Sequence, residues 1–533
     1  MFSPAILEKY PALSPAMRPK LFAMIGLCFV LMMVALDQTV VGTALPTIVA
    51  ELHGYDLYAW VGTSYLLTSV ITIPIFGRLG DEYGRKPFVL AAIVLFTLAS
   101  MLCGLAQTML QLVLARGLQG IGGGMLVGTA FACVPDMFPD AHQRLRWQVM
   151  FSSAFGIANA IGPSLGGFLT TWYGWRWVFY VNLPVGMMSL WFLTRHLPLI
   201  RHSDKPPAAL DWPGALLIAI GLGGLQLFVE WLPTHHSVWT LSLIGTLSLA
   251  AIGLFVWQEK RAVSPLIPLS MLTSKSLRNL FVLSLVMGFC LFGIMYYAPL
   301  MFQGGFGLTP DQAGLLITPL VVSITIGSIV NGRIVIHLEH PKRMLYVGIT
   351  LFAGAALCMT RMNVHMPHEV IMCIMAAAGL GLGLTLPNLT IFVQYNADKA
   401  QLGIATAMLQ SLRMTGGMLG TALIGTWVNH QYAAGLSERL GKYADQPWSQ
   451  GLYDPQSLIA GSQHQTVVSQ LIMAGRNYLT YFEEARSSLV ASVHTSQMMV
   501  AVMLVVAFVL VLLLPPIKIT KDKKNAATMD EGI

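Results

Sequence analysis

The sequence predicts an all-helical membrane protein that crosses the bilayer fourteen times, and three observations carry that prediction. Of 533 residues, 55% are hydrophobic and only 10% charged, against about 25% charged in an ordinary soluble domain. Mean hydropathy is +0.66, and apolar stretches of about 20 residues, the length that spans a bilayer, recur along the whole chain. The basic residues between those stretches fall mostly on alternate connections. This composition excludes a cytosolic enzyme, a nucleic-acid-binding protein and a disordered scaffold. The 28 prolines and 50 glycines suit membrane helices, which tolerate both.

Spans are expected at 21–42, 57–77, 88–107, 111–134, 147–171, 176–195, 212–231, 238–257, 278–302, 312–332, 343–361, 368–393, 403–428 and 492–514. With the N-terminus placed in the cytoplasm, 23 of the 31 Lys and Arg fall on cytoplasmic segments, 6 on outer segments, and Arg116 and Arg413 within spans. The positive-inside rule then orients the chain with both termini cytoplasmic. The same sorting reads the net charge of +7 as a cytoplasmic basic face and not as an anionic partner. Residues 1–20 contain Pro4, Pro11, Pro15 and Pro19 and no long apolar core, so they read as a cytoplasmic segment and not as a signal peptide.

The spans group as a six-helix set over 21–195, a polar proline-containing linker at 196–211, two inserted spans within 212–257, and a second six-helix set over 278–514, followed by a cytoplasmic tail at 515–533. Residues 429–491 form a long outer loop with helix-compatible stretches, expected to be a partly helical extracytoplasmic element. The loop after the second span, Gly77–Lys86, and the loop at Gly332–Arg333 to Lys342–Arg343 share Gly-Arg and a terminal basic pair. A weak internal symmetry of this kind is a mark of transporter folds.

Four segments carry candidate chemistry. In the cytoplasmic loop Gly77, Asp81, Gly84, Arg85 and Lys86, Gly77 allows close helix packing and Gly84 a tight reversal. Asp81 can cap a helix or pair with an Arg, and Arg85 and Lys86 are expected to hold the loop at the anionic leaflet. Asp37 is a carboxylate inside a span, where ionisable groups default to function. Arg116 lies at similar depth, both roughly 7–8 Å below the outer helix ends at 1.5 Å per residue, so the two can face one cavity. Burial favours the protonated carboxyl and a neighbouring Arg favours the carboxylate; that balance suits a group that gains and loses a proton. The pair also reads as a structural tie, and a tie that breaks on protonation is itself a coupling device. Gly120, Gly124 and Gly128 repeat every four residues, a packing face and not a phosphate loop. Gly162-Pro163 with Gly166-Gly167 forms a bendable, close-packing helix segment.

These segments resemble the major facilitator superfamily, and within it the fourteen-span drug/proton antiporter family of the EmrB/QacA type. The resemblance rests on the Gly77–Lys86 loop, Leu36-Asp37-Gln38-Thr39-Val40-Val41-Gly42-Thr43-Ala44-Leu45-Pro46, Arg116-x-x-Gln119-Gly120, Gly162-Pro163-x-x-Gly166-Gly167 and Trp175-Arg176-Trp177-Val178-Phe179-Tyr180-Val181-Asn182-Leu183-Pro184. It covers essentially the whole chain. Ala158 stands where the fifth-span motif often opens with Gly, and the second-half loop lacks its acid, with Ile336 in its place.

The resemblance implies a major facilitator fold and a proton-coupled exporter of amphipathic, toxic, often cationic compounds, working by alternating access in a bacterial inner membrane. Asp37 and Arg116 would be its proton-coupling residues and Gly162 to Gly167 its antiporter hinge. No cofactor is implied beyond the proton gradient, and no nucleic acid. An adaptor protein of the membrane-fusion type and an outer-membrane channel are implied as partners for the 429–491 loop in a two-membrane cell. The alternative is a dedicated exporter of an endogenous metabolite such as a siderophore or lipid-like compound; a proton-coupled importer and a non-transporting sensor are further rivals.

Other residues carry less. Arg413, with Gly416, Gly417 and Gly420, lies near mid-membrane and must find an acid, a carbonyl or water. Glu230 is expected at the outer interface. The 30 methionines suit an adaptable apolar pocket. The 13 histidines lack ligand spacing, and the six cysteines read as small buried hydrophobes. Asn388-Leu-Thr390 fits a glycosylation sequon but lies in a span. No metalloprotease or nucleophile-elbow motif is present, so an enzyme is not expected.

Overall fold

A computed structural model describes residues 18–138, 141–199, 211–231, 237–262, 265–266, 269–335, 338, 340–397, 402–459 and 462–515. Most of the N-terminal segment, the 196–211 linker and the 515–533 tail lie outside the described residues, as do the side chains of Asp81 and Glu230. The described residues form helices and turns, with no strand.

The helices follow in order as α1 (Arg18–Leu52), α2 (Tyr58–Tyr83), α3 (Arg85–Leu105), α4 (Met109–Met137), α5 (Ala141–Trp172), α6 (Asn182–His196), α7 (Trp212–Trp231), α8 (Val238–Glu259), α9 (Lys275–Leu300), α10 (Pro310–Ile334), α11 (Arg343–Met359), α12 (His368–Asn396), α13 (Leu402–Leu440), α14 (Ser462–Met473) and α15 (Tyr478–Leu512). Among the described residues, eleven helical stretches are long and apolar enough to cross a membrane, and Arg343–Met359 is a shorter apolar helix. Each predicted span falls on a helix; the ends are where expectation and structure differ. α1 continues ten residues beyond 42, through Pro46, to Leu52. α13 runs past 428 to Leu440, and α15 starts at Tyr478 instead of 492. Hydropathy marks where a helix meets lipid, whereas polar helix formers such as those of 429–440 prolong it into water.

The pairing of helices repeats. Within α1–α6 the packed pairs are α1 with α5 and α6, α4 with α2 and α3, and α3 with α6. Within the second set the same pairs recur: α9 with α13 and α15, α12 with α10 and α11, and α11 with α15. One hydrogen bond repeats as well. Lys86 Nζ, near the start of α3, donates to the Thr194 carbonyl at the end of α6 at 3.0 Å. Lys342 Nζ, before α11, donates to the Leu514 carbonyl after α15 at 2.5 Å. In both sets a lysine satisfies a helix-end carbonyl that lacks an intrahelical partner.

Two further pairings join the sets, α5 with α10 and α2 with α13, and α7 and α8 lie at one edge of this seam, with α7 against α2 and α13. We call the end with Arg18, Gly84 and Lys342 the basic end, and the end covered by 441–477 the capped end. At the capped end, 3₁₀ turns and α14 fill the gap between α13 and α15. Gln456, Ser457 and Leu458 are buried there, and His53 of α1's end meets Gln463 at 3.2 Å. The long loop is therefore largely helical and folded over both sets.

Candidate functional site

Asp37 and Arg116 meet. α1 and α4 cross so that Arg116 Nη1 donates to Asp37 Oδ2 at 2.6 Å, with both side chains fully buried. The carboxylate's other oxygen accepts from Gln119 Nε2 at 2.6 Å and Asn182 Nδ2 at 3.2 Å. Arg116 also donates to Gln119 Oε1 at 2.7 Å and, through Nε, to the Val61 carbonyl at 3.2 Å. Its guanidinium lies 4.5 Å from the centre of the Tyr65 ring. Asn182 donates in turn to Ser100 Oγ at 2.9 Å. Five helices of the first set thus contribute to one polar knot in an apolar core. A carboxylate in such a medium persists only when paired and hydrogen-bonded. Adding a proton to Asp37 removes the charge that Arg116 is paired with, so the state of this one oxygen governs how five helices hold together.

The structure corrects the expected setting of this pair. Asp37 lies fifteen residues from the end of α1, roughly 22 Å along the helix, because α1 is longer than hydropathy suggested. The pair is enclosed in the first helix set and does not line a cavity. Gln119 and Asn182 were present in the sequence motifs without an assigned role; a buried amide in an apolar span was the signal for each.

The Gly77–Lys86 loop is a single-residue junction. Gly84 takes φ +89° between α2 and α3, a conformation in which a side chain is strained. Arg85 Nη1 pairs with Asp136 at 2.5 Å, and Lys86 reaches Thr194 as above, so both cations have protein partners. Gly77 faces the Gly128 carbonyl with room for a methyl, whereas Gly120, Gly124 and Gly128 have none against α2. The glycine stripe of α4 is the closer packing face.

The segment Gly162, Pro163, Gly166 and Gly167 lies on the seam. A Cβ at Gly162 would fall 1.7 Å from Thr39 Oγ1, and one at Gly166 2.3 Å from Thr43 Oγ1. A Cβ at Gly167 would fall 2.4 Å from the Pro310 carbonyl, and Gly314 of α10 stands as close to the Pro163 carbonyl. The segment therefore presses α5 against α1 on one side and α10 on the other.

The seam is closed from mid-helix to the capped end. Gln303, in a π-helical turn after α9, donates to the Thr43 carbonyl at 2.7 Å and meets Thr47 Oγ1 at 2.9 Å. Tyr58 donates to the Tyr296 carbonyl at 2.7 Å. Ser164 meets Thr318 at 2.6 Å, and Thr171 donates to Asp311 at 3.2 Å. The Tyr296 ring sits against Gly62, next to the Val61 carbonyl that Arg116 holds. Among the described residues, no hydrogen bond joins the α5–α10 seam on the basic side of Thr325 and Gly156, 3.2 Å apart. Gln303 was missed in the sequence, where a lone Gln in an apolar stretch was its only signal.

Other candidates resolve more simply. Asn388 is buried and exchanges hydrogen bonds with Asn331 at 2.7 and 3.2 Å. All six cysteines are free, and Cys358 and Cys373 are exposed on outward helix faces, against the expectation of burial. Among the described residues, no group of three His, Cys, Asp or Glu is placed to hold a metal.

Comparison with known proteins decides the family. The model of the Major Facilitator Superfamily matches residues 27–421. The chain belongs to the Major Facilitator Superfamily. It is 32% identical over 511 residues to the multidrug transporter protein MdtP of Bacillus subtilis, covering 93% of each chain. It is 30% identical over 469 residues to multidrug resistance protein 3 of the same organism, covering 86% of this chain and 91% of the relative. Among solved structures, a bacterial homolog of the human lysosomal transporter Spinster, inward-facing and unoccupied, superposes with a TM-score of 0.61 at 14% identity, over 93% of this chain and 98% of that one. The chain is an integral membrane transporter and not an enzyme.

Proposed function

We propose that this protein is a proton-coupled efflux transporter that exports amphipathic toxic compounds in exchange for protons. The observation that carries the reading is the Asp37 carboxylate, fully buried yet held by Arg116, Gln119 and Asn182. It is a protonatable group whose charge state controls packing inside the half that must move. The multidrug names of the two relatives support the substrate class. In this reading the chain crosses the inner membrane fourteen times, and the basic end with both termini is cytoplasmic, as the sorting of Lys and Arg supports.

The seam closed at the capped end then corresponds to a state open to the cytoplasm, ready to load substrate. The loaded, deprotonated protein opens outward and releases substrate; a proton taken from the outer side onto Asp37 then frees Arg116, loosens the first set beside Tyr296 and drives the return to the cytoplasm-open state, where the proton is released. Arg116 acts electrostatically, since a guanidinium does not release its proton. The two glycine-lined contacts of α5 keep the seam tight while it rocks. The cap over 441–477 is the surface on which a periplasmic adaptor would dock.

The experiment is efflux from proteoliposomes under an imposed pH gradient. Flux that follows the gradient in wild type and vanishes in Asp37→Asn supports the reading. Flux unaffected by collapsing the gradient sinks it.

A further inference from the structure

A trough runs along the outward side of the second helix set, away from the seam. Its floor is α11, a helix of 17 residues packed on the longer α12 and α15, of 29 and 35 residues. Arg343, Val347, Thr350, Gly354 and Cys358 of α11 are all exposed, and at about 100° per residue they form one stripe down a single helix face. The last four line the trough, with Cys373 and Ala377 of α12 and Phe508 of α15. An added Cβ at Gly354 meets nothing within 4 Å, so the floor is low because its side chains are short. The volume of the trough is about 810 Å³. From Tyr346 to Cys358 it runs roughly 18 Å along the helix, slightly more than the depth of one leaflet's hydrocarbon, about 15 Å.

One end of the trough is basic. Tyr346 lines it there, its ring centre 5.3 Å from that of Phe508, and Lys342 Nζ lies 5.7 Å from the Tyr346 ring centre. The Leu512 and Leu514 carbonyls accept from Lys342 and fix its charge at this point. Arg343 continues the exposed stripe one turn beyond Val347. Around this end, the sequence over 339–343 and 515–524 holds six Lys and Arg against two acids, Glu339 and Asp522. An apolar trough of acyl-chain length that ends in cations matches a lipid whose headgroup is net negative. A second copy of the chain matches it poorly. Two copies side by side in one membrane bring their basic ends together at the same level, and like charges opposed across an interface are costly.

We propose that this trough binds an anionic phospholipid, with one acyl chain lying along α11 from Tyr346 toward Cys358 and the headgroup phosphate held by Arg343. A chain in the trough touches protein on several sides instead of one and gains dispersion contacts accordingly. The guanidinium of Arg343 suits a phosphate, to which it can donate two parallel hydrogen bonds. Each cation near the headgroup plane favours an anionic lipid by about fivefold. The site requires only that the chain be embedded in a membrane, so it stands apart from the proton-coupling reading.

The test is native mass spectrometry of the purified full-length protein in neutral detergent, titrated in parallel with dioleoylphosphatidylglycerol and dioleoylphosphatidylcholine. The expected result is that wild type binds its first molecule of the anionic lipid about fivefold or more tightly than the zwitterionic one. Arg343→Gln lowers that preference about fivefold, and Arg343→Lys retains part of it. Gly354→Phe fills the floor and weakens the first binding of both lipids, whereas Gly253→Phe, at an equally open glycine of α8, does not. An unchanged melting temperature in lipid-free detergent reports that each variant is folded. Should Gly354→Phe not purify, wild type and Arg343→Gln decide the matter. Equal affinities in wild type, a preference for the anionic lipid unchanged in Arg343→Gln, or a Gly354→Phe protein that binds both lipids as Gly253→Phe does overturns the inference. A dimer that Gly354→Phe splits assigns the trough to a second copy and overturns it as well.

Discussion

Two arginines lie inside the helical core, on frameworks that pair their helices in the same way, and their surroundings are opposite. Arg116 is enclosed and held by Asp37, Gln119 and the Val61 carbonyl. Arg413 is half-buried and unpaired among the described residues. A neutralised buried pair responds to events that change its charge, whereas a cation without such a partner loses nothing when a carboxyl of its own set is protonated. A repeated pattern of helix pairing thus holds one arginine in an ion pair and another with no such partner among the described residues.

The sharpest way to break this comparison is to remove charges on each side. Asp37→Ala leaves Arg116 buried without its counter-charge, a loss of roughly 3–5 kcal/mol, seen as a large fall in the melting temperature of the detergent-solubilised protein. Arg413→Gln removes no hydrogen bond or ion pair to a described residue and is expected to shift stability by no more than about 0.5 kcal/mol. Similar shifts at the two sites would erase the distinction. The isosteric Asp37→Asn is expected to keep the protein inserted and to abolish gradient-driven flux in proteoliposomes.

A second comparison sets a packed glycine against an open one. Gly162→Ala drives a methyl into Thr39 and is expected to cost about 1–3 kcal/mol, with Thr39→Ala in the same chain restoring most of it. Gly332, in the last turn of α10, has nothing within 4 Å of an added Cβ. Gly332→Ala is expected to be neutral or mildly stabilising. A Gly162→Ala protein as stable as wild type would remove the close contact from the account.

The seam offers a smaller effect. Gln303→Leu deletes its hydrogen bonds to Thr43 and Thr47, each about 1 kcal/mol, and shifts the population toward opening at the capped end. Spin-label distances between the capped ends of α1 and α15 would lengthen; an unchanged distribution would show that Gln303 only fills space.

The smallest expected effect is on the cap. Burial raises the Asp454 carboxyl above the ordinary carboxylate value of 3.8, with Asp56 as a nearby like charge, although Gln456 and Gln463 offset part of this. The packed cap therefore holds this proton more tightly than a loosened one. Cap packing gains as pH falls below that raised value, and the gain is complete once pH is below 3.8. Hydrogen exchange over 450–459, compared with Asp454→Asn at each pH, should show protection growing from neutral to mildly acidic conditions in wild type only.

How much of this was legible depends on the kind of signal. Span positions were readable because lipid demands apolar length, and the Asp37 and Arg116 pair was readable because charges are rare there. Helix ends were not, since the tail of α1 and the polar turns of α13 and α15 continue as helix outside lipid. The roles of Asn182, Gln119 and Gln303 were hidden because an amide in an apolar span signals that it needs a partner but does not say which one. Asp136 was hidden for a related reason: it meets Arg85 only after α2, α3 and α4 pack.

By itself, then, the chain's order of apolar, basic and small residues determined that this is a helical membrane transporter, with its cations sorted to one end and two arginines left in the core. Those are properties of local composition, and solvent alone enforces them. Only the tertiary structure decided which arginine is neutralised and which has no partner among the described residues, and that hydrogen bonds join the seam toward the capped end. Those outcomes depend on distances between residues as far apart as Thr43 and Gln303, and only packing of the helices brings such residues together.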